Sequence, residues 1–239
     1  MRIPRMAVIV PVVALALAGL TACAGGSEAK SNAGTDAKTL ADEAQRLIKS
    51  VDDYKMVGGG QDEETRIDWD LCIRNGTDVQ GTMTIDGNRA EIIVIGKDEY
   101  LKADVPFWKM SMTGSVPPAV IDRAAATVAG KFVKSPADEE EGGLASMAAL
   151  FDGDTSGVTK GDAVKIDGVK VIPLSKKDEE GETTTLYVKE KGKPFPFMIK
   201  SEGKGKATMK FSKGKTKCEP KAPAESFSKD DLKKQFKDA

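Results

Sequence analysis

Histidine is absent from this chain of 239 residues. That removes the commonest general base and the commonest metal ligand before any motif is sought. Aromatic residues are scarce at 5 %, and none falls in an RNA-binding aromatic motif. Neither sign of charge prevails: 36 Lys and Arg face 37 Asp and Glu, a balance that argues against a nucleic-acid partner. No apolar run reaches the roughly twenty residues of a spanning helix; the run from Met6 to Leu20 falls short and contains Pro11 and Gly19. Cysteine occurs at Cys23, Cys72 and Cys218 alone. What is left is a chain that is 40 % hydrophobic, enough for one large all-β or α+β domain or two small ones.

The first motif lies at the N-terminus. Arg2 and Arg5 precede the apolar run, which ends in Leu20-Thr21-Ala22-Cys23 and is followed by Ala24-Gly25-Gly26-Ser27. Positive, apolar and small residues in that order form a secretory leader. The ending resembles the bacterial lipoprotein signal, the lipobox. The resemblance implies that residues 1–22 are a signal peptide, that cleavage falls before Cys23, and that the Cys23 sulfur carries a diacylglycerol. An ordinary signal peptide ending beside a cysteine is the other reading. Two acyl chains anchor stably where one does not. The expected place is therefore the extracytoplasmic face of the cell membrane, with the membrane as partner through Cys23. Cys72 and Cys218 are then left in an oxidising compartment, where a disulfide is expected; two free buried thiols are the alternative that spacing leaves open. A bridge closing so long a loop contributes up to about 5 kcal/mol in the chain-entropy account.

Residues 23–38 read as a flexible tether, with a coil reach of about 20 Å. Thr39, with Asp42 three residues on, is expected to cap a helix whose apolar face is Leu40, Ala44, Leu47, Ile48 and Val51. Gly58-Gly59-Gly60 is expected to end that segment and let the chain turn. Ile67, Trp69, Leu71 and Ile73 then alternate with polar residues, as in a half-buried strand. Asn75-Gly76 is a hairpin turn by composition, and its overlap with a glycosylation sequon at Thr77 is read as the turn. A return strand carries Val79, Met83 and Ile85. Asp86-Gly87-Asn88 turns again, residues 89–95 form a third strand, and Glu99 to Ala103 a fourth. This is an antiparallel meander.

From Val105 to Phe151 proline interrupts alanine-rich helical stretches expected at 118–129 and 143–151. The richness of this segment in Met and aromatic residues suits a cover over an apolar surface, or equally an insertion that fills the core. Alternation resumes at Val164, and strands at 164–166, 169–174, 183–189, 195–201 and 207–211 make a second meander. Ser228 and Asp231 are expected to cap a short terminal helix carrying Leu232 and Phe236.

Helix, meander, broken helices and second meander resemble the lipoprotein-carrier fold of LolA and LolB, and more closely the LppX/LprG-type lipoproteins of actinobacteria. Besides the lipobox, the likeness rests on Tyr100-Leu101-Lys102 leading to Trp108, on Gly130-Lys131-Phe132-Val133-Lys134, and on Tyr187-Val188-Lys189 before Pro194. It covers about residues 39–225. It implies an α+β fold: a half-open antiparallel β-barrel of two meanders, with an N-terminal helix and a helical cover, in one domain from 39 to 239. Its apolar concave face holds acyl chains in that family. Here the candidate face is Ile67, Trp69, Leu71, Val79, Met83 and Ile85, with Trp108 and Met110 in the cover. The many lysines of strands 164–171 and 203–213 depart from the pattern and point to a smaller or closed cavity.

Catalytic motifs are not found. Ser-x-x-Lys at Ser27, Ser201, Ser212 and Ser226 recurs as chance allows in a lysine-rich chain, without companion motifs. Asp152-Gly153-Asp154-Thr155-Ser156-Gly157 resembles half of a calcium loop, but Ala163 stands where the bidentate Glu belongs. The lysines between Lys200 and Lys221 outnumber Glu202 and Glu219. They either protect an edge strand or attract anionic headgroups or wall polymers. No enzyme activity, cofactor or metal is expected, and a monomer is. Two functions stay open: a lipid-anchored carrier of an acyl-chain ligand, and a structural or sensory envelope lipoprotein with a filled core that contacts wall or protein partners. Changing Cys23→Ala is expected to abolish labelling by a palmitate analogue and to leave the precursor uncut before residue 23 or released by another peptidase. A labelled variant, or an unlabelled wild type in the soluble fraction, refutes the anchor.

Overall fold

Three tight turns set the grammar of the chain. Asn75-Gly76 (φ 51° and 74°), Asp86-Gly87 (47° and 82°) and Asp167-Gly168 (48° and 79°) place both central residues at positive φ, the type I′ geometry that matches the twist of a hairpin. A computed structural model describes residues 29–62, 64–113, 117–137, 153–213, 218–228 and 231. The elements, in order, are α1 (Ala37–Lys49), β1 (Asp53–Gln61), β2 (Arg66–Arg74), β3 (Asp78–Ile85), β4 (Asn88–Ile95) and β5 (Asp98–Ala103). Helices α2 (Val105–Met112) and α3 (Pro118–Val128) follow, then β6 (Phe132–Pro136), β7 (Thr159–Lys160), β8 (Val164–Ile166) and β9 (Val169–Lys177). The chain closes with β10 (Thr183–Lys189), β11 (Pro196–Glu202), β12 (Lys206–Lys213) and β13 (Phe227–Ser228).

Among the described residues the strands form one 13-stranded sheet, ordered β13-β6-β5-β4-β3-β2-β1-β12-β11-β10-β9-β7, with β8 also on β9. It is antiparallel throughout except where β13 runs beside β6. The expected meanders are both present, β2–β5 and β8–β12. The sheet is open: its ends do not meet. Between the meanders stands β1, paired with β2 on one side and β12 on the other. This corrects the reading of Gly58-Gly59-Gly60 as a chain turn. The glycines lie inside β1, opposite Trp69, Asp68 and Ile67 of β2 and Met209, Thr208 and Ala207 of β12. The alternation of Tyr54 and Met56 continues as Gly58 and Gly60, where no side chain marks the period. The same pairing makes β12 a central strand, so its lysines do not guard an edge.

Asp36, not Thr39, caps α1: its carboxylate accepts from the Thr39 amide at 2.9 Å. Asp42 instead pairs with Lys38 at 2.6 Å and accepts a hydrogen bond from Thr155. The tether ends sooner than residue 38. Ser31 bridges Lys191, and Asn32 is buried. A thirteen-residue helix is marginal alone, and α1 is held by its buried face. Leu40, Ala41 and Ala44 pack on Ile172, Leu174 and Val188, while Leu47 and Ile48 join Tyr54, Met56, Leu71, Ile73, Phe195 and Phe211. Helix α3 falls where expected. Helix α2, which opens at Val105-Pro106, and strand β6 add to the elements expected from sequence. The expected helix at 143–151, Asp152, and the terminal helix with Leu232 and Phe236 lie outside the described residues, as do residues 1–28 with Cys23. Asp154 of the calcium-like loop is bound to the Ser156 hydroxyl and amide and to Lys176. The Ser156 bonds, then the lysine, hold its carboxyl down at about 2.

Cys72 and Cys218 are bridged, with Cα atoms 5.7 Å apart. Cys72 lies on the face of β2 opposite Leu71, the outward face. Register carries one row across that face: Cys72, Gln80, Ile93, Tyr100, Lys134. The strap 218–228 begins at the disulfide and ends where Ser228 pairs with Lys134, so it is fastened at both ends of this row. Four strand spacings are about 19 Å, well within its reach. Ile93 and Tyr100 in the middle of the row are buried. Reducing the bridge is expected to lower stability by up to about 5 kcal/mol. Urea unfolding with and without reductant measures it; an unchanged midpoint counts against a fastening role for the bridge.

Candidate functional site

Strand register decides which side chains share a face. Across β2 and β3 the inward pairs are Ile67 with Ile85, Trp69 with Met83, Leu71 with Gly81, and Ile73 with Val79. The face continues into Ala90, Ile92 and Val94 on β4 and Leu101 and Ala103 on β5. In the other direction it runs through Gly58 and Gly60 on β1 to Met209 and Ala207 on β12, then Ile199 and Ser201 on β11. All the described helices lie on this face, but they cover it in two separate places. One cluster forms under α1, with Leu71, Ile73, Val79, Ile92, Ile199 and Phe211. The other forms under α2 and α3, with Ala90, Ala103, Phe107, Trp108, Ala125, Val128 and Val133.

Four of the candidate residues lie between these clusters. Ile67, Trp69, Met83 and Ile85 are half-buried. Trp69 leans on the α1 cluster, and Met83 and Ile85 on the α2–α3 cluster. Beside Trp69 the face is floored by Gly60, Ala207 and Ser201, and there a groove of about 490 Å³ opens, lined by these residues and Ile67 with Asp62, Thr65, Glu182 and Lys206 at its rim. Apolar walls with a few polar groups at the mouth are the usual make-up of a small-molecule site. A larger hollow of about 600 Å³ borders the same glycines and includes Val57, Arg66, Asp68, Thr208 and Lys210. These side chains belong to the outward face, and Arg66 and Asp68 are ion-paired at 2.9 Å, so the inward groove is the better apolar site despite its smaller volume.

The other candidates are core residues. Leu71 (0 % exposed) and Val79 (7 %) sit under α1, whose Leu47 and Ile48 occupy the space a ligand would need. Trp108 is buried, its indole nitrogen donates to the Ala103 carbonyl at 3.1 Å, and its ring meets Phe107 edge-on at 5.8 Å. Met110 is half-buried against the same cluster. Gly58, Gly60, Ala207 and Ser201 are not among the sequence candidates, because a floor made of absent side chains leaves no apolar signal. No group of three or more Cys, Asp or Glu among the described residues is placed to hold a metal, and no described helix is long and apolar enough to cross a membrane.

No protein-family model matches the chain, and no curated protein matches it in sequence. Among solved structures it is similar to LprF from Mycobacterium bovis, with a TM-score of 0.50 and 14 % identity over 79 % of this chain and 97 % of that one. The chain shares its fold with LprF. The lipoprotein LppX from Mycobacterium tuberculosis gives 0.48 and 11 % over 77 % and 98 %. An outer membrane lipoprotein-sorting protein domain from Vibrio parahaemolyticus is more distant, at 0.28 and 10 % over 84 % and 98 %. At 14 % identity the likeness to LprF is one of fold.

The glycines beside the groove differ in what they tolerate. A Cβ on Gly58 would run into the backbone of Thr208 and Met209, and one on Gly81 into that of Asp70 and Leu71. The first close approach lies between β1 and β12, the second between β3 and β2. On Gly60 the nearest atom is the Ala207 Cβ at 3.3 Å. Gly58→Val is therefore expected to cost about 2 kcal/mol or more, and Gly60→Ala less than about 1 kcal/mol. Thermal unfolding of the two variants checks the order; equal losses would show that β1 is not drawn tight at Gly58.

Proposed function

We propose that this chain is a lipid-anchored envelope lipoprotein, held through Cys23 on the extracytoplasmic face of the membrane, that binds an acyl chain in the groove beside Trp69. In this reading residues 39–239 are one domain and the sheet acts as a half-open barrel around the ligand. The observation that carries it is the gap between the two helix-covered clusters. Ile67, Trp69, Met83 and Ile85 are left half-buried there, and Ile67 and Trp69 line a groove floored by Gly60 and Ala207. A sheet meant only to be filled gains nothing from small residues beside its tryptophan. The fold shared with LprF supports the same assignment. The cluster under α1 favours a second reading, a structural envelope lipoprotein, since that half of the face is closed by side chains.

The soluble form lacking residues 1–23 separates the two. Extraction with organic solvent and mass spectrometry is expected to find bound lipid, and the purified protein to take up a fluorescent fatty acid. Trp69→Ala is expected to weaken uptake roughly tenfold or more, because the acyl chain no longer has the indole surface to bury against. Gly60→Leu should block it by filling the floor, while Trp108→Phe leaves it unchanged. A protein with neither bound lipid nor uptake belongs to the structural reading.

A further inference from the structure

The N-terminal segment joins the fold at a fixed place. The Asn32 amide donates to the Glu190 carbonyl at 2.7 Å, and its side chain donates to the carbonyls of Lys189 and Gly192 at 2.8 and 3.0 Å. The Gly192 amide bonds back to the Lys30 carbonyl, and the Glu190 amide to that of Lys170. This knot sits at the turn between β10 and β11. Its members Lys30, Lys170, Lys189 and Lys191, with Lys193 beside them, are all exposed. None of the five makes an ion pair among the described residues. The acid in their midst, Glu190, is buried and accepts from the Ser31 hydroxyl at 2.5 Å. Asp167, on the nearby β8–β9 turn, is taken by Lys210 at 2.6 Å.

The opposite end of the same strands is acidic. Asp178, Glu179, Glu180 and Glu182 form the β9–β10 tip, and Asp62 and Glu64 the β1–β2 turn. The groove opens at this end, since Asp62, Thr65, Glu182 and Gly205 rim it. Groove mouth and tether exit are thus a strand's length apart, roughly 25 Å.

We infer that the lysine end is a docking surface for an anionic lipid bilayer, and that docking turns the groove mouth away from the membrane. Chain length selects this occupant. Ser31 lies eight residue steps beyond Cys23, which span at most about 28 Å, so a bilayer holding that cysteine's lipid lies within reach of this end of the domain. This part rests on the proposed acylation of Cys23. Charge selects it as well: five unpaired lysines meet anionic headgroups whose field extends about a Debye length, near 8 Å at physiological salt. Each lysine at such a surface strengthens partitioning by about fivefold.

Residues 24–239 without lipid retain every described residue, so their binding to vesicles does not depend on acylation, which palmitate labelling tests separately. Co-sedimentation with phosphatidylglycerol vesicles is expected, weakened by salt and absent with phosphatidylcholine. Changing Lys189, Lys191 and Lys193 to Gln should lower partitioning on the order of a hundredfold. The same change at Lys177, Lys204 and Lys206, at the acidic end, should lower it by less than about threefold. Circular dichroism verifies each fold, and Lys191→Gln alone, expected to lose about fivefold, replaces a triple variant that does not fold. Absence of binding to phosphatidylglycerol, equal losses in the two triple variants, or binding confined to soluble polyphosphate overturns the inference. Binding by a chain that proves unlabelled at Cys23 would leave the docking surface standing and remove the anchor.

Discussion

Everything in this fold depends on β1 making hydrogen bonds on both edges. Without it the chain would hold two separate meanders, each with a bare edge of unpaired amides and carbonyls. Nine residues close that gap, opposite β2 and β12 along nearly their whole length. The join has a physical price in side chains. Where β1 passes Trp69 and Met209 the neighbouring backbones come so close that Gly58 has no room for a Cβ, and the same is true of Gly81 beyond β2. Glycine weakens a strand elsewhere; here it permits the close approach. Tyr54 and Met56, one turn of the alternation earlier, supply the burial that holds the strand in place.

A sheet this wide must cover two faces, and the chain does so by unlike means. The inward face receives α1, α2 and α3 through apolar packing. The outward face is largely charged and has no helix among the described residues. Its apolar row through Ile93 and Tyr100 runs between the two fastenings of the strap, one covalent and one a short parallel pairing. The bridge constrains a long loop of unfolded chain and also ties the end of the second meander to the middle of the first, since Cys218 follows β12 and Cys72 lies in β2. Seam and strap therefore join the same two halves from different faces.

Much of this is legible in residue order. The hairpins of β2–β5 and β8–β12 are readable because Asn-Gly and Asp-Gly state their own backbone conformation and Ile67, Trp69, Leu71 and Ile73 state a period of two. The disulfide is an expectation from cysteine count, with free thiols as the alternative, and the structure holds the bridge. Strand β1 is not readable, since its period is carried past Met56 by Gly58 and Gly60, which have no hydropathy to alternate. Residue order points to Thr39 as the cap of α1 because Asp42 completes a capping pattern; Asp36, three residues before Thr39, satisfies the Thr39 amide through its own carboxylate. For the site, alternation identifies the face and not its cover. Leu71 and Trp69 are two residues apart on one strand with the same orientation, yet one lies beneath α1 and the other beside a gap.

That difference between Leu71 and Trp69 is where fold becomes candidate function. Helix α1 reaches only part of the inward face, because Asp36 starts it beside β10 and Ser50 ends it before β1. Helices α2 and α3 are tied to β4, β5 and β6 by Ala90, Ala103 and Val133, small enough to let Phe107 and Trp108 settle on the sheet. Among the described residues Trp69 meets only the edge of the α1 cluster and stays half-buried. Filling the gap would take large side chains at positions 60 and 207, and the chain has Gly and Ala there. Leaving apolar surface half-covered forgoes burial that a folded chain ordinarily uses. A groove that Ile67 and Trp69 line over Gly60 and Ala207 can stay open while the core under α1 remains closed, which is what a site for a flexible apolar chain requires.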